Sequence, residues 1–356
     1  MKKIISFPHM DNYYVPITFL LKKVTDYEVM HPLPITKRTL ELGTKYSPEF
    51  VCVPFKYNLG NYIESLERGA NVLVQAGGGC RYGYYAEVQE QILCDLGYNF
   101  EFHSLVDNNQ NVLINAYKVL KKINNKLTIF KYIYYMALTL KIINYMDKID
   151  IYIRANIGFE KRKGDFGNLL NKMLEEIVNI KGFWNLRKLY KKYNILFQAI
   201  QINKPIDCLK VGLIGELYTS MEPFCNYYLE KALAEMKIQM DRYTNVTYLL
   251  ITKLFNKRKV LKKCGCYCKY LIGADGTDNV AVARTLALKG YDGLIHTKPF
   301  GCMPEVGAMP ILQKLSNDYE IPILFFSFDS HTAEEGIKTR LEAFYDMIMM
   351  RRNKHD

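Results

Sequence analysis

Cys52, Cys80 and Cys302 are the residues best placed by their neighbours to do chemistry. Cys52 lies in Phe-Val-Cys-Val-Pro-Phe-Lys, Cys80 in Gln-Ala-Gly-Gly-Gly-Cys-Arg-Tyr-Gly and Cys302 in Lys-Pro-Phe-Gly-Cys-Met-Pro-Glu. Each follows an apolar run read as a strand, and open parallel sheets bind ligands beyond the carboxyl ends of their strands. Gly79 and Gly301 let the main chain turn tightly and approach a bulky ligand. Helix N-termini, Arg81, Lys56 and Lys298 favour the thiolate, which is the ligating form. Soft thiolates select iron–sulfur clusters or zinc. Taken singly, each cysteine is as well read as a small buried hydrophobe. Three together at strand ends favour one shared site.

Other residues carry weaker signals. Cys264-Gly-Cys266-Tyr-Cys268 brings three sulfurs to one side if the segment is extended. Lysines flank it and no fourth ligand is evident, so a reactive or idle surface loop is the plainer reading. Cys94 and Cys208 are read as core residues, and Cys225 is open between core and site. Ala76-Gly-Gly-Gly-Cys80 sits between strand and helix as phosphate loops do, but it lacks the GxxxxGK[ST] and GxGxxG patterns. Glu216, after another apolar strand, is the candidate catalytic carboxylate: acid/base, fourth ligand or orienter. Its plainer role is a helix cap or an inter-domain hydrogen bond. Glu305 is read as an acidic residue favoured by the dipole of a helix start. Asp329 is read as a cap for the last helix or a group facing the site. His296 and His331 are too isolated for a role.

The elements that must position these residues alternate. Strands are expected at 4–7, 27–30, 50–55, 71–75 and 99–105, with helices at 12–24, 36–42, 57–68 and 84–96. Such alternation implies βαβ units and a parallel sheet. Residues 109–203 show long helical patterns and no clear strand. The rhythm returns with strands at 209–213, 293–297 and 321–328, and helices at 223–236, 247–255, 277–289, 304–315 and 332–350. The expected fold class is α/β, with two Rossmann-like parallel-sheet domains, 1–108 and 206–356, and a helical insertion at 109–205.

The 356 residues, 49% hydrophobic and 24% charged, suit a globular chain with room for two cores. The net charge of +12 gathers in 118–210. It signals either an acidic partner or a solvated helical surface; without a nucleic-acid motif the second is plainer, and no nucleic-acid partner is expected. Nine cysteines in a chain whose start lacks a signal-peptide h-region suggest reduced thiols in the cytoplasm. Residues 127–146 are apolar, but Lys131 and Lys141 interrupt them. A buried or interfacial helix is expected there, and no membrane association.

Six segments together resemble the 2-hydroxyacyl-CoA dehydratase (2-hydroxyglutaryl-CoA dehydratase subunit-like) family, in its CoA-enzyme activase-related branch. They are Cys52-Val-Pro-Phe-Lys56, Gly77-Gly-Gly-Cys80-Arg-Tyr-Gly-Tyr-Tyr, Val211-Gly-Leu-Ile-Gly-Glu216-Leu-Tyr, Gly290-Tyr-Asp-Gly-Leu-Ile, Pro299-Phe-Gly-Cys302-Met-Pro-Glu and Thr339-Arg340-Leu-Glu-Ala-Phe344. The combination covers both α/β regions and skips the helical stretch. The resemblance implies an iron–sulfur cluster, a 4Fe-4S cubane or the double cubane of some relatives, held by Cys52, Cys80 and Cys302. It also implies an ATP-dependent activase as donor of a low-potential electron. A second dehydratase-like subunit or a homodimer, and an acyl-CoA or other small-molecule substrate in anaerobic metabolism, are further implied partners. The reaction would be a reduction, or a dehydration through a ketyl radical. A non-catalytic cluster carrier or scaffold, and a nucleotide-dependent ATPase or kinase-like protein, stand as alternatives. Two features depart from the family pattern: Ser330 follows Asp329 where an acidic residue is expected, and the Cys264–Cys268 run has no counterpart.

Overall fold

A computed structural model describes residues 2–75, 84–105, 112–252 and 257–355. The chain divides into two units, residues 1–143 with 173–190, and residues 144–172 with 191–356.

The first unit is built on β1 (Ile4–Ser6), α1 (Tyr14–Val24), β2 (Glu28–Val29), α2 (Lys37–Tyr46), α3 (Val53–Glu67), β3 (Val72–Gln75), α4 (Tyr85–Asp95) and β4 (Glu101–Ser104). Its sheet is wholly parallel in the order β2-β1-β3-β4. β3 is buried along its whole length, as a parallel strand covered on both faces must be. Val72 and Val74 pack with Ile5, Leu21, Val24 and Leu120 on one side. Leu73 packs with Phe55, Leu59, Tyr62 and Ile63 of α3 on the other.

A helical stretch follows: α5 (Val112–Ile123), α6 (Ile129–Asn156), α7 (Asp165–Ile177) and α8 (Phe183–Gln198). Among the described residues no helix is long and apolar enough to cross a membrane.

The remaining elements are β5 (Lys210–Gly215), α9 (Leu217–Met221), α10 (Leu229–Glu235), β6 (Gln239–Arg242), a π-helical turn (Tyr248–Thr252), α11 (Lys257–Cys264), α12 (Gly276–Leu288), β7 (Gly293–Pro299), α13 (Met303–Asp318), β8 (Ile323–Phe328) and α14 (Glu334–His355). They form a second parallel sheet ordered β6-β5-β7-β8. Counting strands within each unit, both sheets run second, first, third, fourth. The two parallel α/β sheets agree with the Rossmann-like expectation.

Several elements differ from expectation. Residues 50–55 form no strand. Cys52 is extended and α3 begins at Val53, because Pro54 in the first turn has φ set for a helix and no N–H for a ladder. The helix expected at 223–236 is confined to α10. Asn226 accepts from Leu229 N at 3.2 Å and donates to Thr219 O at 3.0 Å, so its side chain replaces the helical backbone pattern. Tyr227 and Tyr228 turn left-handed there, at φ 55° and 58°. β6 is an unexpected strand at the sheet edge, with Met240 and Arg242 facing in.

Arg242 also anchors a buried ion cluster. Its Nη1 donates to Glu230 Oε1 at 2.8 Å, and Arg154 Nε reaches both Glu230 oxygens at 3.2 Å. Arg154 further pairs with Asp150. Opposed charges on α6, α10 and β6 thereby offset one another's desolvation.

Candidate functional site

Cys302 sits at the exit of β7. Pro299, Phe300 and Gly301 make the turn, with Cys302 N donating to Pro299 O at 3.2 Å. Gly301 has φ +75°, and a Cβ built there meets nothing within 4 Å, so the turn requires glycine for its backbone and leaves open space beside Cys302. Cys302 is the N-cap of α13, with Pro304 in the first helical turn. Cys52 has the same setting in the first unit: N-cap of α3, Pro54 in the first turn. Each helix start, whose first N–H groups have no partner within the helix, thus lies beside a half-buried cysteine that forms no disulfide. Cys52 Sγ is hydrogen-bonded to the Tyr85 hydroxyl at the start of α4.

Cys80, Gly79 and Arg81 lie outside the described residues. Among the described residues no three His, Cys, Asp or Glu side chains come together as a metal-binding group. Cys52 and Cys302, half-exposed, free of disulfides and at helix starts, have the donor chemistry an iron–sulfur cluster takes.

Glu216 follows β5 and caps α9. Its carboxylate accepts from Tyr218 N at 3.0 Å, Thr219 N at 2.8 Å and Thr219 Oγ1 at 2.7 Å. Burial, and then the nearby Asp275, push its pKa up to about 7; the bonds from Thr219 and Tyr218 oppose the rise. Asp275, which precedes α12, accepts from Leu217 N at 3.1 Å, so two carboxyls meet at the start of α9. Lys298, four residues before Cys302, is buried. Burial lowers its pKa, while Cys302 and Glu305 work against that lowering.

The larger surprise is beneath Cys302. His296 on β7 and Glu305 in the first turn of α13 are both fully buried. His296 Nε2 is 2.7 Å from Glu305 Oε2, and Asn279 Nδ2 donates to the same oxygen at 2.9 Å. Asn279 Oδ1 accepts from Gly215 N at 3.0 Å. Among the described residues, His296 Nδ1 and Glu305 Oε1 have no hydrogen-bond partner. A polar chain therefore runs from the end of β5 through α12 to the start of α13. Its signal in the sequence was spacing alone: a histidine inside an apolar strand, nine residues before an acid at a helix start.

The cysteine-rich run is not extended. Cys264 ends α11, Gly265–Tyr267 form a 3-10 turn, and Cys268 follows. Cys264 and Cys268 are buried and Cys266 is exposed, so the three do not share a side. Burial, and then Cys268, push the Cys264 thiol up to about 12. Cys94 is exposed rather than core, Cys208 is half-buried, and Cys225 is fully buried. Asp329 makes a local turn, accepting from His331 N at 2.8 Å and Thr332 Oγ1 at 3.0 Å.

No curated protein matches the chain. Residues 216–348, from Glu216 through most of α14, match the family model described as 2-hydroxyglutaryl-CoA dehydratase, D-component.

Proposed function

We propose, from the match of residues 216–348 to that family model, that the chain is the cluster-bearing component of a 2-hydroxyacyl-CoA dehydratase-type system. Cys52, Cys80 and Cys302 would hold one iron–sulfur cluster, with Gly79, Arg81 and Gly301 as close neighbours. A bound cluster supplies one-electron transfer at a potential set by its surroundings. The chain's own residues supply the rest. The starts of α3 and α13 present backbone N–H groups toward thiolate charge. Gly301 keeps space open beside Cys302. Glu216, poised near neutrality, takes or gives a proton at working pH. The His296–Glu305–Asn279 chain holds the first turn of α13 against the sheet.

One observation carries the reading. Cys302 stands at the carboxyl end of a central parallel strand and starts a helix, inside the region that matches the family. An ATP-dependent activase is the proposed electron donor, an acyl-CoA the proposed substrate, and a second dehydratase-like subunit or second copy the proposed partner.

Anaerobic reconstitution with iron and sulfide tests the assignment. The full chain is expected to acquire a broad thiolate-to-iron absorption band with stoichiometric acid-labile sulfide. Cys52→Ala, Cys80→Ala and Cys302→Ala each lower the iron content, whereas Cys94→Ala leaves it unchanged. Equal iron in all four variants rules the site out. Reduction of the reconstituted chain by an activase with ATP separates an enzyme component from a cluster carrier.

A further inference from the structure

α6 begins on an exposed apolar face. Phe130 is 82% exposed, Ile133 55% and Tyr134 43%, at spacings that share one side of a helix. The start of α8 adjoins it, since the Tyr134 and Phe183 rings meet edge to face at 5.6 Å and Trp184 beside them is 67% exposed. Tyr132, on the opposite, buried side of α6, donates its Oη to Leu113 O at 2.9 Å and so ties this turn to α5. Single exposed apolar residues are ordinary; Phe130, Ile133 and Tyr134 joined through Phe183 to Trp184 form a group, which marks a binding surface.

The rim is cationic. Lys131, Lys181, Arg187 and Lys188 are exposed, and the Lys188 ammonium lies 5.8 Å from the Trp184 ring centroid. From Val112 to Ile143 there is no acidic residue. Charge then selects the occupant. A second copy would bring two cationic faces together. A single-stranded nucleic acid would stack on the aromatic rings, but Ile133 among them offers no ring to a base. An anionic lipid surface meets both halves of the pattern. Aromatic rings settle at headgroup depth, aliphatic side chains reach the acyl boundary, and lysines lay their stems along apolar surface with their charge on phosphate.

We propose that this face of the first unit binds an anionic membrane surface peripherally. The inference does not depend on the cluster, and it concerns contact with a membrane surface rather than a helix that crosses one.

Trp184 is the chain's single tryptophan, so its emission reports the contact directly. The full chain is titrated with vesicles of phosphatidylglycerol and phosphatidylcholine, and in parallel with phosphatidylcholine alone. The expected result is a blue shift and co-sedimentation with the anionic vesicles only, reversed by high salt. Phe130→Ser and the double variant Lys131→Glu/Lys188→Glu each weaken partitioning by about tenfold or more. Three outcomes overturn the proposal: no shift with anionic vesicles, equal binding to both vesicle types, or a vesicle-independent shift that grows with protein concentration. The last assigns the face to self-association.

Discussion

His296 Nε2 lies 2.7 Å from Glu305 Oε2, and neither side chain has exposed surface. The contact clamps β7 to the first turn of α13, three residues beyond Cys302. Removing one member of a buried polar pair strands the other without solvent. Glu305→Ala is expected to destabilise the fold by about 3 kcal/mol or more, read as a lower urea midpoint. Glu305→Gln, which keeps an acceptor for Asn279, is expected to lose clearly less. Equal losses for both would show that packing volume, not the polar contact, matters there.

Glu216 gives the stability curve a signed pH dependence. Its folded pKa, near 7, is above the ordinary carboxyl value of 4.5. Between those values the folded state holds more protons than the unfolded state, so stability falls as pH rises through the window and levels off above it. Glu216→Gln removes this titration while keeping a capping oxygen. Denaturation midpoints from pH 4.5 to 7 are expected to decline less for the variant; parallel curves would dismiss Glu216 as the titrating group.

Two glycines with positive φ separate backbone strain from steric clash. At Gly215, φ is +144° and a Cβ would lie 1.9 Å from Thr297 O. At Gly301, φ is +75° with no neighbour within 4 Å. Gly301→Ala is expected to cost about 1 kcal/mol from conformation alone. Gly215→Ala forces β5 and β7 apart and is expected to leave little folded protein. Comparing thermal midpoints and soluble yield checks the order, which must not invert.

Thiol burial predicts a labelling pattern. Cys94 and Cys266 are exposed, while Cys225 and Cys264 have no exposed surface and the Cys264 thiol is held up to about 12. Native alkylation followed by mass mapping is expected to modify Cys94 and Cys266 first, with Cys225 and Cys264 reacting only on unfolding. Rapid labelling of Cys264 would mean that α11 opens readily.

Apolar strands flanked by glycine and by long helical patterns were legible without coordinates. β3, β5 and β7 are buried nearly throughout, as strands of a covered parallel sheet are, and β8 is an apolar edge strand. β6 was not legible, because an edge strand alternates and Gln239 and Asp241 break the apolar signal. Phe50, Val51, Val53 and Phe55 read as a strand through Cys52. Pro54 overrules that hydrophobicity, and Phe50 is 97% exposed. The His296–Glu305 contact is tertiary, so no local pattern announces it. Asn226 likewise ended a plausible helix through bonds to residues on both sides of it in the chain.

Identical strand order in the two sheets makes positions in the two halves comparable. In chain order, Cys80 and Cys302 each come after the third strand of their half. The helix entering that strand is preceded by Cys52 in one half and by Asp275 in the other. Four corresponding positions are thus occupied by three sulfurs and one carboxyl, so the two halves do not offer equal donors.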